Sequence, residues 1–188
     1  MARKLPHCDE LIRELLLNLR QPVTLKQWSR MSGIVFTQCR NLFVTARRRG
    51  LLKCINADAV RQRLYFFTSR GLKERRQLGA SESADLPELD VPPIDWHLYA
   101  NCCHAHRSAV IRTIDQESLR ASFIRRLAVR HDPRLKMSTA NTRDVLYWLV
   151  KHRVVQFEML GKRPRRFYQL TDLGQDFKRL LTRTWRWI

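Results

Sequence analysis

Near the start of the chain apolar residues return every three to four positions, at Leu11, Ile12, Leu15, Leu16 and Leu19. That spacing predicts an amphipathic helix over residues 9–20, with its acids at the N-terminal end, where the helix dipole favours them. Gln21-Pro22-Val23 interrupts the pattern. Thr24 offers a side-chain oxygen to cap a second, short helix, Leu25–Met31, and Ser32-Gly33-Ile34 predicts a tight turn. Cys39, Leu42, Phe43 and Ala46 then form the apolar stripe of a third helix, Phe36–Arg49, which Gly50 can close in the left-handed conformation. Leu51–Asn56 and Gln62–Phe67 are apolar and aromatic runs bracketing Ala57–Arg61, which predicts a hairpin. Thr68 caps a last helix to Leu78.

Residues 80–94 have no period and are rich in Ser, Ala, Pro and acids, the pattern of a linker. Helical patterning resumes at Trp96–Arg107, and again from a cap at Asp115 to Arg130. His131-Asp132-Pro133 stops that helix, because the residue before proline resists helical geometry. Ser138 or Thr139 caps a helix over Ala140–Arg153. A second hairpin follows, Val154–Met159 and Arg166–Leu170, with Leu160–Arg165 at its tip. Thr171 opens a closing helix to Leu181, and a tail ends in Trp185, Arg186, Trp187 and Ile188.

These two passages are nearly the same passage. Shifted by 103 positions, Arg40–Leu78 lies over Arg143–Leu181 without a gap, with identities at Arg63/Arg166, Tyr65/Tyr168, Thr68/Thr171 and Gly71/Gly174. A period that long describes two small domains of one kind rather than a solenoid. The expected organisation is a mainly α chain with small β-hairpins, an α+β class, with domains at 1–79 and 95–188 joined by the acidic stretch 80–94.

Charge sharpens the picture. The net charge is +19, and Arg outnumbers Lys 28 to 8. Residues 1–80 carry 17 basic and 5 acidic side chains, residues 96–188 carry 19 and 7, and residues 81–95 carry five acids and no base. Cations concentrated on the repeated unit point to a polyanionic partner, and guanidinium forks suit phosphate and guanine edges. No stretch approaches the ~20 apolar residues of a membrane span, and Met1–Arg20 lacks the pattern of a signal peptide. Five cysteines without framework spacing suggest a reducing compartment, cytoplasmic (nucleoid-associated) or nuclear.

Other chemistry is sparse. Asn101-Cys102-Cys103-His104-Ala105-His106, with His97, holds soft ligands but not the separated pairs of a zinc site, so no metal or other cofactor is expected. The chain has no phosphate-binding glycine loop, no His-Glu-x-x-His and no Gly-x-Ser-x-Gly, and it is not expected to be an enzyme. The Trp-rich tail is a candidate contact for a second copy or a protein partner.

The ordered set, found twice, resembles the winged helix-turn-helix family. In the first half the residues that carry it are Pro22-Val23-Thr24-Leu25-Lys26-Gln27-Trp28-Ser29, then Ser32-Gly33-Ile34, then Arg48-Arg49-Gly50-Leu51-Leu52. In the second half Phe167-Tyr168-Gln169-Leu170-Thr171-Asp172-Leu173-Gly174 is similar to the strand-to-helix exit of MarR- and PadR-like regulators. The second half departs from the pattern: it has no glycine turn before its third helix, and Arg153 stands where Gly50 does. The long terminal helices that dimerise MarR-like proteins have no counterpart.

The resemblance implies tandem winged-helix domains on double-stranded DNA, with the third helix of each in a major groove. Half-sites would lie about one helical turn, ~10–10.5 base pairs, apart. With the core faces assigned as above, Thr37, Gln38, Arg40, Asn41 and Arg48 point outward in the first unit, and Ala140, Asn141, Arg143 and Asp144 in the second. Gln and Asn pair with adenine and Arg with guanine. The hairpin candidates are Arg61 and Arg63 in the first unit and Lys162, Arg163, Arg165 and Arg166 in the more basic second. Transcriptional regulation is the expected role; replication initiation or partition on a mobile element, or a protein-binding scaffold, are the alternatives.

Overall fold

The computed structural model describes residues 8–79, 94–161 and 165–183. Among them the chain is an α+β protein of nine helices and two three-stranded antiparallel sheets. It divides into two compact units, the first running to Ala100 and the second from Asn101 to Arg183.

In the first unit α1 (Cys8–Asn18) buries Ile12, Leu15 and Leu16, the face its periodicity predicts. Strand β1 (Val23–Thr24) leads into α2 (Leu25–Ser32) through a capping box. Thr24 Oγ1 accepts from the Gln27 amide at 3.2 Å, and Gln27 Oε1 accepts from the Thr24 amide at 3.4 Å. Gly33 ends α2 at φ 71°, a conformation that costs glycine nothing. Helix α3 (Phe36–Arg48) buries Cys39, Leu42, Phe43 and Ala46 as its stripe requires. Strands β2 (Leu52–Cys54) and β3 (Leu64–Phe67) and helix α4 (Ser69–Gln77) complete the unit, with sheet order β1-β3-β2.

The first hairpin is shorter than its apolar runs suggest, because buried Asn56 takes over the role of ladder residues. Its Oδ1 accepts from the Leu64 amide at 2.7 Å and its Nδ2 donates to the Gln62 carbonyl at 3.2 Å, closing the loop. The first unit also continues past residue 94. In α5 (Trp96–Cys102), Tyr99 is fully buried and its hydroxyl accepts from Gln21 Nε2 at 3.1 Å, while His97 sits 3.1 Å from Asp58.

The second unit contains α6 (Ala105–Thr113), β4 (Leu119–Arg120), α7 (Ala121–His131), α8 (Thr139–Lys151), β5 (Val155–Leu160), β6 (Arg165–Leu170) and α9 (Asp172–Arg183). Its sheet order is β4-β6-β5. Two expected elements differ here. The single helix Trp96–Arg107 is two, α5 and α6, because His104 turns to an extended backbone (φ −60°, ψ 139°) at the start of α6. The helix expected from Asp115 starts at Ala121. Lys178 takes the Asp115 carboxylate, and Leu119 and Arg120 pair with Tyr168 and Phe167, so tertiary contacts override the local cap signal.

The repeat holds in three dimensions. Helices α3 and α8 correspond end to end at the 103-residue shift, and the hairpin register Leu52↔Phe67 recurs as Val155↔Leu170. Strands β1 and β4 match at a shift of 96 (Val23 and Leu119 face Tyr65 and Tyr168), so seven extra residues fall between β4 and α8: α7 is three residues longer than α2, and the link from α7 to α8 is four longer than that from α2 to α3.

Three devices repeat as well. Thr68 Oγ1 donates to the Gly50 carbonyl and accepts from the Gly71 amide at 3.1 Å; Thr171 does the same with the Arg153 carbonyl and the Gly174 amide, also at 3.1 Å. Gly71 and Gly174 lie so close to the residue that leads into β2 or β5 that a Cβ would meet the Leu51 or Val154 carbonyl oxygen at 2.1 Å. Arg75 donates to the Leu19 carbonyl at the end of α1, and Lys178 to the Ile114 carbonyl at the end of α6. Each cation therefore satisfies a carbonyl that the end of a first helix leaves without an intrahelical partner.

Candidate nucleic-acid interface

Burying one face of α3 leaves a stripe of Thr37, Arg40, Asn41, Val44 and Arg48 in solvent. The matching stripe on α8 is Ala140, Arg143, Asp144, Tyr147 and Lys151. Gln38 and Asn141, expected outward, occupy equivalent positions and are both half-buried. Asn141 lies in the capped first turn, its amide donating to Ser138 Oγ at 3.0 Å, and its Oδ1 is enclosed with no hydrogen-bond partner among the described residues. That oxygen is closed off from solvent.

The hairpins differ in build. In the first, Arg61 and Arg63 are exposed, but Arg63 Nε is spent on the Ala59 carbonyl at 2.9 Å. In the second, two six-residue strands carry Arg165 and Arg166 in solvent, the Arg166 guanidinium 4.8 Å from the centre of the Phe157 ring. Lys162 and Arg163 lie outside the described residues, as does the Trp-rich tail. Arg40, Arg48, Arg61, Arg143, Arg165 and Arg166 form no ion pair among the described residues. Their charge is available to a partner.

Between α8, the start of α7 and the second hairpin lies a cleft of about 810 Å³, lined among others by Arg120, Arg143, Arg165, Arg166, Tyr147 and Phe157. Its counterpart in the first unit is about 310 Å³ and is lined by residues including Lys26, Phe36, Arg61, Arg63 and Tyr65. Arg120, Tyr147 and Lys151 are members of this surface that sequence reasoning missed. Tyr147 and Lys151 follow Arg143 at helical spacing on its outward face, so periodicity could have found them. Arg120 could not be found that way, because only the pairing of β4 with β6 puts it at the cleft.

Two other arginines are drawn inward, Arg75 buried and Arg107 half-buried. Burial pulls the Arg75 guanidinium below its ordinary range, and neighbouring Arg20 adds to the shift. Burial does the same to Arg107, which lies 3.8 Å from the centre of the Trp148 ring. Burial also pushes the Cys39 thiol up, opposed by hydrogen bonds with Ser29 and Ser32, so this cysteine packs as an apolar group. His106 Nε2 is 2.9 Å from the Lys136 carbonyl. Among the described residues no three His, Cys, Asp or Glu side chains converge as metal ligands, and no helix is long and apolar enough to cross a membrane.

No protein-family model matches the chain, and comparison with curated proteins finds no match.

Proposed function

We propose that the chain binds double-stranded DNA through two winged-helix-like units and acts as a transcriptional regulator. One observation carries this reading. Two thirteen-residue helices, α3 and α8, stand at equivalent places in a duplicated scaffold, and each shows solvent a stripe with two basic side chains, Arg40 and Arg48 or Arg143 and Lys151, that form no ion pair among the described residues. A helix fits the width of a major groove, where arginine and asparagine discriminate guanine and adenine. The hairpin beside each helix is set to follow the adjoining phosphates.

Labour is divided unequally. Arg40 and Asn41 on α3 are the stronger readers of sequence, since α8 offers Asp144 in place of Asn41. The second hairpin supplies more of the phosphate contact. The test is affinity for a selected site and for random duplex, measured by fluorescence anisotropy. Arg40→Ala with Asn41→Ala is expected to cost about 2 kcal/mol at the selected site and much less on random duplex. Equal losses on both would contradict the assignment.

A further inference from the structure

We propose that the cleft of the second unit receives an unpaired nucleotide of DNA, so that the protein prefers a duplex with a single-stranded tail to a continuous one. This deepens the duplex reading and rests on it for the remainder of the contact.

The cleft is cationic and aromatic together. Arg120, Arg143, Arg165 and Arg166 line it with a single acidic residue, Asp144, the Arg120 guanidinium lying 5.0 Å from the centre of the Phe167 ring. The Tyr147 ring stands on the outward face of α8 with 71% of its surface exposed, and Phe157, 40% exposed, lies across the cleft on β5. Phe157 and Tyr168 pack at 6.0 Å between ring centres, and Arg166 covers Phe157. Phosphate contact accounts for the arginines and leaves the rings unexplained. A continuous duplex offers phosphates and base edges, because every base face is covered by its neighbour. An unpaired base offers a planar face, which stacks on aromatic rings and under guanidinium planes, while its phosphates pair with the arginines.

Size and comparison agree. About 810 Å³ falls among sites that hold a small organic ligand, roughly 300–1,000 Å³. In the first unit the position of Tyr147 is taken by Val44, and the corresponding space is about 310 Å³. The smaller space also has rings, Phe36 (43% exposed) and Tyr65, so what is particular to the second unit is the exposed Tyr147 on α8 and the larger volume beside it.

The experiment uses the full chain and three probes: a blunt duplex, the same duplex with a short tail containing 2-aminopurine, and the tail strand alone. Anisotropy gives the affinities, and 2-aminopurine fluorescence reports stacking by quenching. The tailed probe is expected to bind about tenfold tighter than the blunt one, with quenching. Tyr147→Ala should bring that ratio close to one and restore fluorescence, and Tyr147→Phe should keep both. Tyr147 is exposed, so neither change threatens the fold. Steeply salt-dependent binding of tailed and blunt probes with equal affinity and no quenching would overturn this proposal and leave the duplex reading intact. Binding of the tail strand alone, with none to the blunt duplex, would overturn the duplex reading and keep the cleft's assignment.

Discussion

The two units hold their elements together by the same means and then present different hairpins. Each has a threonine that clips the end of the third helix to the start of the fourth, a glycine pressed against the strand between, and a buried-side cation on the first helix's carbonyl end. These positions are fixed by packing, and the duplicated halves keep them. Solvent-facing positions are under no such constraint. There the first unit has short strands joined by a nine-residue loop, 55–63, which buried Asn56 ties from within, and the second has six-residue strands, added arginines and an exposed Tyr147. Where two copies of one scaffold agree, the agreement marks architecture; where they differ, the difference marks work done at the surface.

The largest expected effect breaks the shared staple. Gly71→Ala and Gly174→Ala each force a Cβ onto a carbonyl oxygen at 2.1 Å, so strand or helix must shift. Each should destabilise its own unit by about 3 kcal/mol. Hydrogen exchange followed peptide by peptide would show protection falling in β2 and α4 for the first variant and in β5 and α9 for the second. A loss spread evenly over both units would break the comparison. The clamp should matter next. Arg75→Met orphans the buried Leu19 carbonyl and should cost about 2 kcal/mol. Lys178→Met should cost about 1 kcal/mol, since the Asp115 partner lies largely in solvent. Denaturant melts of the two variants rank the clamps.

A smaller change sharpens one place where the scaffold copies disagree. Gly50 and Arg153 end equivalent helices in the left-handed conformation, at φ 71° and 57°. Arginine pays a steric penalty there that glycine does not. Arg153→Gly should therefore stabilise the second unit by about 1 kcal/mol, and Gly50→Ala should destabilise the first by about as much, both read from urea midpoints.

Much of this architecture was legible in the amino-acid pattern, for physical reasons that also explain the rest. The stripe Cys39, Leu42, Phe43, Ala46 gives α3 its buried face because helical period and burial are the same fact. The Thr-x-x-Gly pairs stood out because the repeat superimposes them without a gap. Strands β1 and β4 have two residues each, too few to carry a period, and they exist only through pairing with β3 and β6. The Asp115 cap failed because Lys178, 63 residues away, takes its carboxylate. Of the candidate site residues, Arg40, Asn41, Arg48 and Arg143 were legible as the complement of a core face. Gln38 and Asn141 were misjudged in exposure because they fall at the border of that face. The cleft was invisible, since three elements distant in sequence build it.

The most direct measurement of the central claim, two like units holding one duplex by unlike hairpins, is the slope of log K against log[salt] for random duplex. The intact chain should bind with a steep negative slope. Arg165→Ala with Arg166→Ala should make it shallower by about 2, and Arg61→Ala with Arg63→Ala by about 1 or less. A slope near zero for the intact chain, or equal changes from the two hairpin pairs, would contradict it.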